Sequence, residues 1–235
     1  MATVKFSINL REDAWNWVRL GRQKTMLYGR DLKNFTSEIP EPLRRKIRRF
    51  PETKALVLVY QHLQQGRENI LTDLRAMKVF LGQYMRQYGS GLLAEVARLT
   101  GRRLYRQTFY ATFTTLYTCP YDPSRHWFMI SAKRNMAKQV NTIAHEILHL
   151  QFIHYYYHYC LDQGLTEKQF QDLKEAMTVL LNEPQFRKYH LALDLGYPAH
   201  VKLRATIARL WHRHLPYAEF LDACIAATKR TLPAR

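Results

Sequence analysis

Residues 145–149 read His-Glu-Ile-Leu-His, and this run constrains the chain more than any other feature. Successive helix residues turn by about 100°, so side chains four apart diverge by only about 40°. On a helix, His145 and His149 therefore form a pincer around one position, and neutral imidazoles are good zinc ligands. Glu146 lies about 100° from His145, at the pincer's edge, where it reaches a metal-bound water rather than the metal. That is the placement of a general base. Val140, Ile143, Ile147 and Leu150 supply the same helix with a buried face. His154 falls about half a turn away from His145 and His158 is also on the far side, so both read as packing or surface residues. Tyr155, Tyr156, Tyr157 and Tyr159 read as an aromatic packing surface.

A catalytic zinc needs a third protein ligand and an open position. The metzincin pattern would place glycine at 152 and histidine at 155, where this chain has Phe152 and Tyr155. The helical run LKEAMTVLLNE is the best alternative source. Glu175 sits in its middle, flanked by Leu173, Ala176, Met177, Val179, Leu180 and Leu181. A carboxylate buried among such neighbours needs a partner, and a metal ion would be one. Glu183, Asp172 or a further histidine are the alternatives, although the helix dipole already accounts for an acid near the N-terminus at Asp172. Tyr197 and His200, in GYPAH, are candidate donors to developing oxyanion charge, against the plainer reading of a turn tyrosine and a helix-cap histidine.

The flanking pattern predicts an α+β fold. Helical spacing covers 41–50 and 68–88; Gly89 and Gly91 interrupt it, and a shorter helix follows over 92–99 with Gly101 as its cap. Residues 105–118 are rich in Thr, Tyr and Phe and read as a strand. A turn at 119–125 leads to a second strand over 127–131, pairing with the first and offering an edge to an extended peptide. Helices follow over 135–159, 166–182, 198–213 and 216–229, the second opened by a capping box of Thr166 and Gln169 and closed by Pro184. The expectation is a small, mainly antiparallel sheet packed against several helices including the HExxH helix. Residues 1–100 form a mainly helical basic region packed on the core, and residues 101–235 carry the motif.

The succession over 105–182 of strand, turn, strand WFMIS, helix HEILH and glutamate helix LKEAMTVLLN resembles the gluzincin branch of the zincin metallopeptidases, especially its minimal single-domain members. The resemblance implies a zincin-like fold, one zinc ion held by His145, His149 and Glu175, and Glu146 as base. It implies a peptide or protein substrate, cut by an endopeptidase rather than an exopeptidase. Thermolysin-like members carry Asn before the glutamate ligand and an acid four residues after it. Here those positions are Lys174 and Val179, so another group must orient the histidines.

The charge balance admits a different class. Lys and Arg number 36 against 19 Asp and Glu, a net +17, which favours nucleic acid or another polyanion as partner. Arg44, Arg45, Lys46, Arg48 and Arg49 cluster, as do Arg102, Arg103 and Arg106. A basic nucleic-acid-binding protein with a structural or noncatalytic HExxH site is therefore the alternative, although no named DNA-reading module is present. No apolar run approaches the roughly 18 residues of a membrane span. The N-terminal residues lack the apolar core of a secretory signal, and the three cysteines form neither a disulfide framework nor a metal clip, so a cytoplasmic location is expected.

Overall fold

The computed structural model describes residues 2–25, 31–189 and 192–232. The architecture is α+β, and the chain divides into two compact units. One comprises residues 3–89 and 108–139, the other chiefly residues 90–107 and 140–235. The division differs from the boundary expected near residue 100, because both strands foreseen from the sequence belong with the N-terminal helices.

In the first unit a strand absent from the sequence-based expectation, β1 (Thr3–Ser7), precedes helix α1 (Leu10–Arg22). Asn9 caps α1 by accepting from the backbone N–H of Arg11 at 3.0 Å, and Glu12 and Asp13 meet the positive end of its dipole. Helices α2 (Leu32–Thr36), α3 (Glu41–Arg49), α4 (Glu52–Gln65) and α5 (Arg67–Leu99) follow before β2 (Thr108–Thr114), β3 (Tyr121–Asp122) and β4 (Trp127–Ser131). Trp17, Val18, Leu20, Ile39, Ile47 and Val59 form the core beneath them.

The sheet order is β1-β2-β4-β3. It is mixed and chiefly parallel: β1 runs parallel to β2, and β2 to β4, with Tyr110 opposite Trp127; β3 alone is antiparallel. The expectation of a mainly antiparallel sheet is thereby corrected. The physical reason is the connections. The β1–β2 connection contains five helices, long enough for a crossover, and the β2–β4 connection spends its reversal on β3. The expected β4 edge is partly occupied, since β3 pairs at Phe128 and Trp127 and the Met129 N–H donates to the Pro120 carbonyl at 2.8 Å.

Gly89 and Gly91 do not end α5, which runs through both. Each glycine costs a helix about 1 kcal/mol, and burial of Leu92, Leu93, Val96 and Leu99 outweighs that. Gly91 instead admits the Tyr189 hydroxyl, which a Cβ would strike. Gly101 does close the helix, in the left-handed region at φ 60°.

In the second unit, α6 (Met136–Asp162) contributes the residues from Val140 onward, joined by α7 (Glu167–Met177), α8 (Val201–Trp211) and α9 (Tyr217–Thr231). The expected face of α6 is buried at Val140, Ile143, Ile147 and Leu150. Phe152 of α6 stacks on Phe170 of α7 with centroids 5.8 Å apart, which sets the two helices side by side. The capping box at Thr166 and Gln169 is formed in both directions. After Met177 the helix tightens into a 3-10 turn over Thr178–Asn182. Among the described residues no helix is long and apolar enough to cross a membrane, and Cys119, Cys160 and Cys224 form no disulfide.

Candidate metal centre

The pairing of α6 with α7 brings His145, His149 and Glu175 together. Their ligand-type atoms all lie within 4.8 Å of one another, the one such group among the described residues. His149 Nε2 stands 3.1 Å from Glu175 Oε2, and His145 Nε2 stands 3.7 Å from the same oxygen. Two ligands of a tetrahedral ion bound at about 2.0–2.1 Å are about 3.4 Å apart. The two separations to Glu175 straddle that value, and two imidazoles with one carboxylate are a donor set that zinc accepts. Three protein ligands leave a fourth position for water or substrate.

The other face of His145 is held by a residue the sequence did not single out. Asp194 Oδ2 accepts from His145 Nδ1 at 2.7 Å, which leaves Nε2 directed at the ligand group. Asp194 is itself anchored. Its Oδ1 accepts from Thr178 Oγ1 at 2.9 Å and forms an ion pair with Arg204, whose Nη1 lies 3.1 Å away and donates to Thr178 Oγ1 at 2.7 Å. Asn182 brackets its backbone, accepting from the Asp194 N–H at 2.8 Å and donating to its carbonyl at 2.9 Å. Gly196, at φ 63°, lies against Arg204 so closely that a Cβ would stand 2.6 Å from the guanidinium carbon. Asp194 is thus the orienting group that Val179 cannot be. The available signal was an acid followed two residues later by glycine, in a segment with no helical or strand period.

Electrostatics reinforce the arrangement. Burial alone would push His145 down, but the charge and hydrogen bond of Asp194, with Glu146 and Glu175 nearby, hold it up at about 9 in the metal-free protein. Burial drives His149 down to about 3, so it is a neutral imidazole ready to ligate. Burial opposes ionisation of Glu175, yet His149 and Lys174 outweigh it and keep the carboxyl well below the usual range. Lys174 is 1% exposed, with Nζ 3.1 Å from Glu175 Oε1, so one carboxylate oxygen faces the ammonium while the other faces the two imidazoles. Glu146 is buried at 6% exposure and close enough for its charge to raise His145.

The remaining candidates lie elsewhere. Asp172 is buried one turn before Glu175 and pairs with His200, Nε2 to Oδ1 2.9 Å, so it is outside the ligand group and has a partner beyond the helix dipole. His200 is itself buried at that contact, and its Nε2 is committed to Asp172 rather than turned toward the ligand group. Tyr197 is half-buried, its ring 5.8 Å from that of His200. Glu183 faces His212 at 3.5 Å. His154 and His158 are exposed on α6 outside the metal group, as helix arithmetic requires. No protein-family model matches the chain, and comparison with curated proteins and with solved structures finds no match either.

Proposed function

We infer that this chain is a zinc-dependent peptidase, with one zinc ion held by His145, His149 and Glu175. The observation that carries the reading is the convergence of those three side chains at 3.1 and 3.7 Å while Asp194 fixes the tautomer of His145. A zinc ion there would supply Lewis acidity toward a carbonyl and toward water. Glu146, beside the pincer and largely withdrawn from solvent, takes the proton from the attacking water and returns it to the leaving amine. Asp194 keeps His145 in its ligating tautomer, and Lys174 draws Glu175 Oε1 aside so that Oε2 faces the histidines. Tyr197, in the same segment as Asp194, is the candidate donor to developing oxyanion charge. The substrate class is a peptide or protein, and the resemblance to gluzincins favours internal cleavage.

A metal held for structure alone is the competing reading. Structural zinc sites are closed by four protein ligands, and only three are gathered here among the described residues. The test measures metal content and peptide cleavage together. Wild type should hold one zinc ion and cleave members of a peptide library in a chelator-sensitive way. Glu175→Ala should lose the metal, and Glu146→Gln should keep it while turnover falls about a hundredfold or more. Zinc retained at full stoichiometry by Glu175→Ala would remove the ligand assignment. Undiminished cleavage by Glu146→Gln would remove the base.

A further inference from the structure

The loop between α5 and β2 carries Arg102, Arg103 and Arg106, all exposed, and no carboxylate pairs with any of them among the described residues. The loop is held in one conformation by side chains of α6. Gln151, fully buried, accepts from the Tyr105 N–H at 3.0 Å and donates to the Arg103 carbonyl at 3.0 Å. The Tyr155 hydroxyl donates to the same carbonyl at 3.0 Å, and the Tyr156 hydroxyl donates to the Thr100 carbonyl at 2.5 Å. Three side chains are thus engaged in fixing a short basic segment.

Aromatic rings sit among the arginines. Tyr105 stacks on His154 at 4.3 Å between centroids and 18° between planes, and His154 meets Tyr155 edge-on at 4.7 Å. The Arg102 guanidinium lies 5.9 Å from the centre of the Tyr155 ring. His154 is the exposed member of the stacked pair. Guanidiniums carried on a fixed backbone beside stacked rings are the chemistry that holds a single strand, phosphates on the arginines and a base against the rings. Reading the bases of a duplex would need a helix or ribbon in its groove, whereas stacking an unpaired base needs only an exposed ring beside the arginines. By contrast, part of the Arg44–Arg49 run is already used within the fold: Arg44 pairs with Glu41, and Arg48 donates to the Gly21 carbonyl at 2.9 Å.

We propose that the Arg102–Arg106 loop, with Tyr105, His154 and Tyr155, is a binding surface for single-stranded nucleic acid. It shares helix α6 with the metal centre, His154 lying about 7–8 Å beyond His149 along the axis. The surface therefore brings a polyanion alongside the unit that holds the metal ligands, and its binding does not depend on the metal.

The experiment titrates fluorescently labelled fifteen-residue oligothymidylate, the duplex of equal length and phosphatidylglycerol vesicles against the full chain over a range of salt. Wild type should prefer the single strand. Arg102→Gln/Arg103→Gln/Arg106→Gln should weaken that binding about tenfold or more and flatten the dependence of log K on log salt by about two. His154→Ala should weaken binding about fivefold or more with the salt dependence unchanged. Arg45→Gln/Lys46→Gln/Arg49→Gln, on α3, should bind almost as wild type does. All these side chains are exposed, so circular dichroism and zinc content should match wild type in each variant. An unchanged affinity and salt slope in the loop variant would overturn the proposal, as would absence of binding by wild type at low salt. Equal or tighter binding of duplex or vesicles, with His154→Ala silent, would overturn it too.

Discussion

Asp194→Asn isolates the orienting carboxylate with almost no change of shape. In the native protein one oxygen of Asp194 accepts from His145 Nδ1 at 2.7 Å while the other accepts from Thr178 and faces the Arg204 guanidinium as an ion pair. Asparagine keeps an acceptor toward Thr178 and Arg204 but turns an NH2 group toward His145. Two donors cannot face each other at that distance. The imidazole then presents its Nδ1 lone pair to the amide and carries its proton on Nε2, the atom that lies 3.7 Å from Glu175 and should bind the metal. Loss of such a partner to a ligating histidine lowers metal affinity by about 10- to 100-fold, which corresponds to about 1.4–2.8 kcal/mol. Loss of a charge-assisted hydrogen bond gives a similar figure, about 1.5–3 kcal/mol. Zinc affinity would be measured by competition with a chromophoric chelator, with thermal unfolding in excess chelator as the control for folding. Thr178→Val is the matched comparison, since it removes one donor to Asp194 yet leaves the carboxylate on His145; its zinc affinity should fall much less. Asp194→Asn binding zinc within twofold of wild type, in a protein of unchanged fold, would refute the assignment of tautomer control to Asp194.

Zinc must displace the proton on His145, so apparent zinc affinity should rise about tenfold per pH unit as pH approaches 9 and level off above it, as read by the same competition assay. In the metal-free protein the His145–Asp194 pair raises a histidine from 6.5 to about 9, so its stabilisation is fully present below pH 6.5 and is lost as pH rises through 9; chelated samples should melt at progressively lower temperature over that window, and zinc-loaded samples should not. Gly196→Ala places a Cβ against Arg204 at a positive φ, and it should loosen the Asp194 anchor, lowering both melting temperature and zinc affinity, whereas Ala199→Gly should spare zinc affinity. Lys174→Met breaks a buried pair and should destabilise the metal-free protein by about 3 kcal/mol, measured by urea unfolding, with zinc recovering a larger share of stability than in wild type because the ion takes over the charge of Lys174.

Local geometry accounts for what could be read from residue order. A pair of histidines four apart on a helix points one way whatever surrounds it, so the pincer of His145 and His149 was legible, as were the Thr166–Gln169 capping box and the bounds of β4. Glu175 was legible at one remove, because an acid amid apolar helix residues demands a partner. The strand β1 and helix α1 went unread, although Val4 and Phe6 alternate and Asn9 is a capping residue. Five residues are too few for period alone to distinguish a strand. The parallel sheet also lay beyond the sequence, since strand direction depends on how the long connections close. So did the continuity of α5, where packing around Leu92 and Val96 overrides the weak local preference of Gly89 and Gly91. Asp194 belongs wholly to the tertiary structure. It lies in an irregular segment with no period to place it, and only the packing of Arg204, Thr178 and Asn182 brings its carboxylate to the Nδ1 of a histidine 49 residues away in sequence.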